Sequence, residues 1–220
     1  MTAAADLVVV GTGDHARVVV EAARAGGHHV RRCVLVGHAP TPPMDPIDGL
    51  EVMGRLEDGL EWMRGEPVRF VAALGDNRLR ARAFQQCVDA GWSPEAVVHP
   101  SAIVLTGATI GPGSQVAAGA VVGLSARVSA NVILNTASSV DHDCVLEDHA
   151  FVAPGAHLAG RVRVGKGAFV GIGVAVREGV DIGAWSVIGA GAAVVRDIEP
   201  STRVAGVPAV SMEKVGAHGE

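Results

Sequence analysis

From Val98 to Val194 every sixth residue is aliphatic, an unbroken run of seventeen positions. Four places beyond each of them stands a small or β-branched residue, among them Ala120, Ala126, Ser138, Cys144, Ala150, Ala156 and Ala168. A period of six matches neither the 3.6-residue turn of a helix nor the two-residue alternation of a strand. It fits a coil with three short flat faces per turn, in which each hexad sends one aliphatic side chain inward. The segment is therefore expected to form a parallel β-helix of hexapeptide repeats. Its hexads make about 5.7 turns, and a strand spacing of about 4.8 Å gives a rod roughly 27 Å long. Narrow coils have room for Val and Ala but not for rings, and the chain has 29 glycines, 3% aromatics and no tyrosine. No insertion breaks the register, so functional residues are expected on the outer faces or at corners. A site there needs a second wall, which symmetric packing of a neighbouring subunit would supply.

Ahead of the hexads the pattern is different. Leu7 to Val10 is a run of large aliphatics ending at Gly11-Thr12-Gly13-Asp14-His15-Ala16, after which Ala16, Val19, Val20 and Ala23 recur at helical spacing. This reads as strand, glycine turn and helix, a layout whose backbone N–H groups and helix N-terminus can hold a pyrophosphate. The alternative is a tight turn that needs glycine for conformation only. Val30 to Val36 reads as a second strand, but Gly37-His38 stands where a nicotinamide site would have an Asp or Glu for the ribose hydroxyls. Ala39 to Pro46, with four prolines, reads as an irregular loop, Gly49 to Gly54 as a brief strand and Leu56 to Arg64 as an amphipathic helix. Arg69 to Leu74 then leads into Gly75-Asp76-Asn77-Arg78 and a helix with Leu79, Ala83, Phe84 and Val88 on one side. Two such turns are expected to face one ligand, because open parallel sheets bind at the carboxyl ends of their strands. The expected organisation is a Rossmann-like α/β domain over residues 1–96 and a β-helix domain with a short tail over residues 97–220. Ser93-Pro94 marks the boundary, and Pro200 ends the hexads.

The 220 residues are 49% hydrophobic, ample for a buried core, and the net charge of −5 with no long basic run excludes a general nucleic-acid or membrane-surface binder. Met1 to Asp6 has no basic n-region, and no apolar run approaches membrane-spanning length, so the cytoplasm is the expected compartment. Cys33, Cys87 and Cys144 lack metal or redox spacing and are expected as reduced core residues.

The densest polar cluster in the hexads is Asn135 with Asp141-His142-Asp143. His142 takes the third position of its hexad, which points away from the aliphatic interior. An imidazole held by a carboxylate has a fixed tautomer and a stabilised imidazolium, as a general base requires. The alternative for such a cluster is a solvated corner. Residues eighteen apart stack in this coil, and His142, His149 and His157 share no column, so the spacings do not support a three-histidine zinc site and no metal is expected. Cys144 takes a small inward position and is expected to pack, not to attack. His15 either contacts phosphate or ribose or caps its helix.

These signatures together resemble the sugar acetyltransferases typified by the sialic acid O-acetyltransferase family and the bacterial nucleotide-sugar N-acetyltransferases, including those of the GDP-perosamine N-acetyltransferase type. Gly11-Thr12-Gly13-Asp14-His15-Ala16 is similar to their first turn and Leu74-Gly75-Asp76-Asn77-Arg78 to their second. Ile133-Leu134-Asn135-Thr136 with Val140-Asp141-His142-Asp143-Cys144 resembles their most specific stretch, and Gly206-Val207-Pro208-Ala209 their closing segment. The resemblance implies a left-handed coil, a homotrimer, and acetyl-CoA as cosubstrate in the groove between adjacent coils. It further implies His142 as general base oriented by Asp143, and the sugar bordered by Asn135 and Asp141. The nucleotide diphosphate would lie at Gly11, Gly13 and His15 with Asp76 and Asn77 nearby. The acyl donor is expected against Ala159, Gly160, Gly206 and Pro208, with the N–H of Gly160 facing the oxyanion. Two departures from the family pattern stand out: no acid near Gly37-His38, and Phe151 where some relatives carry histidine.

The activity so implied is N-acetylation of a nucleotide-linked amino-deoxysugar for surface glycans, by direct transfer without an acyl-enzyme. The alternatives are O-acetylation of sialic acid or another sugar and, in a different class, a non-catalytic trimeric scaffold or sugar-nucleotide-binding protein.

Overall fold

The computed structural model describes residues 6–36 and 49–212. The Gly37-His38 strand end and the Ala39–Pro46 loop lie outside the described residues. The N-terminal unit contains β1 (Leu7–Val10), α1 (Asp14–Ala25), β2 (Val30–Leu35), β3 (Glu51–Arg55), α2 (Leu56–Trp62), β4 (Arg69–Ala72), α3 (Asn77–Asp89) and β5 (Ser93–Pro94). All pairings are parallel, in the order β3-β2-β1-β4-β5. Side chains of β1 alternate: Leu7 and Val9 pack under α1, while Val8 and Val10 join Phe70, Ala83, Phe84 and Cys87 on the side of α2 and α3. Ser93-Pro94, expected as a boundary, is instead the fifth strand of the sheet. The Trp92 ring beside it is buried against Phe70, which gives this segment an apolar reason to stay.

The strand order reverses between β1 and β4, the crevice where sheets of this kind bind ligands. Gly11 sits there with φ +133°, and a Cβ on it would lie 2.5 Å from the Ala73 carbonyl oxygen, so the close approach of the two turns demands glycine.

From Val97 the chain winds through three sheets of parallel strands, each strand as far as Ala175–Val176 pairing with the one eighteen residues on. Face I holds strands from Ile103–Val104 to Ala193–Val194, including Ser139–Val140 and His157–Leu158. Face II runs from Thr109–Ile110 to Asp181–Ile182. Face III begins with Val97–Val98 and Gln115–Val116, includes Phe151–Val152, and ends in the antiparallel pair Arg203–Ala205 and Val210–Ser211. The second residue of each strand points inward, and from Val116 to Val194 every one of these aliphatics is buried, together with the small residues of the corners. Each buried Val or Leu contributes roughly 1.5–3 kcal/mol. The first turn departs from the expectation: Val104 is 41% exposed, because Ile103–Val104 is the edge strand of face I.

From Gly107 to Gly191 each corner passes once through the left-handed region, as at Gly107 (φ 74°), Asp143 (φ 58°) and His149 (φ 63°). This conformation disfavours residues with a Cβ by roughly 1–2 kcal/mol but is tolerated by Asn and Asp. The architecture is thus a Rossmann-like unit followed by a left-handed parallel β-helix. Among the described residues no helix is long and apolar enough to cross a membrane.

Candidate active site

The corner between faces I and II carries Asp141, His142 and Asp143 on one turn and Ala159 and Gly160 on the next. His142 Nδ1 lies 2.9 Å from Asp143 Oδ2, and the left-handed backbone at Asp143 turns its carboxylate back to the preceding imidazole. With Nδ1–H donated there, Nε2 is free to accept a proton. The pair is solvent-exposed, 41% and 57% for the two side chains, so its service is orientation, not stability. Asp141 Oδ1 accepts the backbone N–H of His142 at 2.7 Å, which fixes the base of the same residue. The imidazole lies over Gly160, where a Cβ would collide with its Nε2 and Cε1.

A groove of about 460 Å³ runs along face I to this corner, with an apolar floor of Val121, Val140, Leu158 and Val176 and with Asp141 and Ala159 at its edge. Ser139 and His157, stacked on adjacent turns and joined Oγ to Nδ1 at 2.8 Å, form a polar pair within it. Sequence reasoning missed this pair, although their separation of eighteen residues is the column signal. Gly206 and Pro208 belong to the loop at the far end of the coil, where the N–H of Ala193 donates to Gly206 O at 3.1 Å.

The N-terminal unit covers face III. His15 Nε2 meets Gln115 Oε1 at 2.9 Å, and Gln115 Nε2 donates to the Ala72 carbonyl at 2.7 Å. Helix α1 begins at Gly13 without a side-chain cap, so His15 is not the cap entertained above. Its ring packs on Phe151 at 6.1 Å, and burial lowers its pKa. Asn135 stands at the corner between faces III and I, lining a narrow crevice with His15, and spends Oδ1 on the N–H of Thr136. Asn135 and His142 therefore occupy different edges of one coil, although the sequence suggested a single cluster. Asp76 caps α3 through a 2.7 Å bond from the N–H of Leu79 and borders a crevice of about 430 Å³ with Gly75, Arg78, Trp185 and Arg203. Asn77 Nδ2 donates to the carbonyls of Gly167 and Ala168 at 3.0 and 3.2 Å. Both amide hydrogens are spent on the coil, so Asn77 ties the units together while it also lines the crevice beside Asp76. Arg80, which no motif in the sequence singles out, shares in this tie.

His142, His149 and His157 sit respectively at the I/II corner, at the II/III corner and on face I, and among the described residues no group of three or more His, Cys, Asp or Glu converges as a metal site. The thiols of Cys33, Cys87 and Cys144 are free and buried, and burial raises the first two to about 11 and about 12.

A hexad prism with a groove along one face that ends at an oriented imidazole defines a hexapeptide-repeat acyltransferase. The N-terminal stretch, residues 6–87, matches the family model described as the PglD N-terminal domain. The acetyltransferase domain of PglB from Neisseria gonorrhoeae, solved with acetyl coenzyme A, is 34% identical, with 96% of this chain and 100% of that chain covered and a TM-score of 0.87. GDP-perosamine N-acetyltransferase from Caulobacter crescentus, solved with CoA and GDP-perosamine, is 37% identical over 96% of this chain and 98% of that one, with a TM-score of 0.88. Histidine-to-alanine and histidine-to-asparagine forms of that enzyme match equally well. WeeI from Acinetobacter baumannii shares the fold at 20% identity, over 95% of this chain and 100% of that one, with a TM-score of 0.84. No curated protein matches. The chain belongs to the family of coenzyme A-dependent sugar N-acetyltransferases.

Proposed function

We propose that the protein transfers the acetyl group of acetyl-CoA to the amine of a nucleotide-linked amino-deoxysugar used in surface glycans. The observation that carries this reading is the His142–Asp143 pair, which follows directly on Asp141 at the edge of the face I groove. In the reaction His142 Nε2 takes the proton of the attacking amine while Asp143 stabilises the imidazolium. The amine nitrogen bonds to the thioester carbonyl carbon, the N–H of Gly160 faces the oxyanion, and collapse expels the CoA thiolate, which takes up the proton. The acyl donor lies along the groove past Ala159 toward Gly206 and Pro208. The nucleotide occupies the crevice at Gly11, Gly13 and Asp76, with His15, Asn135 and Asp141 bordering the sugar. Residues 1–96 hold the acceptor and residues 97–220 the donor.

This geometry supports a homotrimer. The acceptor unit sits on face III, while His142 is on the opposite edge of a prism whose six-residue side spans at most about 20 Å. A sugar held at Asn135 and His15 meets a general base best when a neighbouring coil brings its own I/II corner to that edge. The need for acetyl-CoA supports the cytoplasm as the compartment of the reaction.

The test is thiol release from acetyl-CoA with a panel of amino-sugar nucleotides, GDP-perosamine among them. Turnover with at least one acceptor and its loss in His142→Ala are expected. Turnover by His142→Ala at the wild-type rate would overturn the mechanism, and a stable protein inert with every acceptor would return it to a scaffold role.

A further inference from the structure

Arg80 is the largest side chain with no exposed surface, at 0%. Its Nη1 donates to the Leu74 carbonyl at 3.0 Å and to Asn77 Oδ1 at 2.8 Å. Its Nη2 reaches the carbonyls of His149 and Ala150 at 2.7 and 3.5 Å, and Nε that of Asn131 at 3.4 Å. Leu74 and Asn77 belong to the turn after β4; Asn131, His149 and Ala150 belong to two stacked turns of the II/III corner. Asn77 extends the tie to a third turn through Gly167 and Ala168. One guanidinium thus fastens the Gly75–Arg78 turn to the coil at a fixed angle.

Its acceptors are all neutral carbonyl and amide oxygens. Buried charges are as a rule paired with an opposite charge. Here the acid that acts on it is Asp76, at the mouth of the same turn and already bonded to the N–H of Leu79. The positive charge is therefore left behind the reversal point of the sheet, beside the N-terminus of α3, where the helix dipole has the same sign. Arg80 and His15 flank one ring, with the guanidinium carbon 5.7 Å and the imidazole 6.1 Å from the centroid of Phe151, so the cation stands between the two glycine turns. Burial draws its pKa down to about 9, which still leaves it charged at neutral pH.

We propose that Arg80 is a positioning residue for the acceptor: it locks the Gly75–Arg78 turn to the coil and holds a fixed positive charge behind it, so that a nucleoside diphosphate meets a rigid, preformed site. This rests on the reading that the N-terminal unit holds the nucleotide. The lock matters because the sugar must arrive at a histidine on another coil, and a change in the angle between unit and coil would carry it past.

The experiment compares wild type, Arg80→Gln and Arg80→Lys as full-length proteins. Titration calorimetry with GDP and with UDP, kinetics with GDP-perosamine and acetyl-CoA, and hydrogen exchange across residues 74–80 and 148–151 are measured. Arg80→Gln is expected to weaken the better-bound nucleotide at least tenfold and to raise the acceptor KM by a similar factor. Its acetyl-CoA KM should stay within twofold, kcat should fall as the acceptor loses its alignment, and exchange in residues 74–80 should rise. Arg80→Lys, which keeps the charge but reaches fewer carbonyls, should lose about three- to tenfold in nucleotide affinity. A folded Arg80→Gln with nucleotide affinity and acceptor KM within twofold of wild type overturns the proposal, as does an equal rise in the KM of acetyl-CoA. If Arg80→Gln does not fold, wild-type affinity in Arg80→Lys overturns it. Should neither nucleotide bind the wild type, the nucleotide reading fails separately, and unchanged exchange in the variants then disposes of the lock as well.

Discussion

The imidazole of His142 rests on the bare backbone of Gly160, one coil turn away, in the space that a Cβ would take from its Nε2 and Cε1. The backbone of Gly160 is not in the left-handed region, so alanine suits the chain itself, and the nearest atoms its Cβ meets are those of the ring. Gly160→Ala is expected to leave the melting temperature within a few degrees and to lower kcat roughly tenfold to a hundredfold, since small misplacements of a catalytic group have effects of this size. Steady-state kinetics beside a thermal melt decide it. An unchanged kcat would mean that the ring does not need this seat.

Asp143 holds Nδ1 of that imidazole at 2.9 Å from a left-handed corner position. Asparagine tolerates the same backbone conformation, so Asp143→Asn removes the charge without straining the turn. A fall in kcat of about tenfold to a hundredfold is expected, with the KM of acetyl-CoA within twofold. A larger effect on KM than on kcat would assign Asp143 to donor binding instead.

Burial lowers the pKa of His15, chiefly by desolvation and further by the charge of Arg80, and lowers that of His149 in the same way. The folded protein therefore releases these protons below the ordinary histidine value of about 6.5. Between that value and the lowered one the unfolded chain binds more protons, so stability is full above about pH 6.5 and declines as pH falls through the window. Thermal melts at pH 7.5 and pH 5.5 should show the decline, and His15→Asn should reduce it. A melting temperature that rises on acidification would contradict the assignment.

Position in the coil should govern the cost of truncating an inward aliphatic. Leu146 is completely buried, whereas Val104 at the open end is 41% exposed. Leu146→Ala is expected to cost about 2–5 kcal/mol and Val104→Ala less than about 1 kcal/mol. Denaturant titrations of both variants make the comparison, and equal losses would imply that the end of the coil is covered in solution.

Much of this was readable from local rules. The six-residue register fixed which side chains face inward, because each strand of two residues has one inward and one outward side and the next strand of its face comes eighteen residues later. The strand, turn and helix units around Gly11 and Gly75 were legible for the same reason, as was the adjacency of His142 and Asp143. The readings that failed concern contacts between elements distant in the chain. Asn135 looked like a neighbour of His142, but one third of a coil turn separates their corners. Asn77 sat in a ligand-like motif, yet its side-chain amide bonds to the carbonyls of Gly167 and Ala168.

The sequence by itself determined the prism, its interior and the chemistry carried at one corner, since hydrophobic periodicity and neighbouring polar residues act over a few positions. Only the tertiary structure decided which face the N-terminal unit covers, at what angle, and through which residues. That docking depends on Arg80, Asn77, His15 and Gln115 finding acceptors and rings many residues away, and no periodicity encodes the fit between two separately folded surfaces.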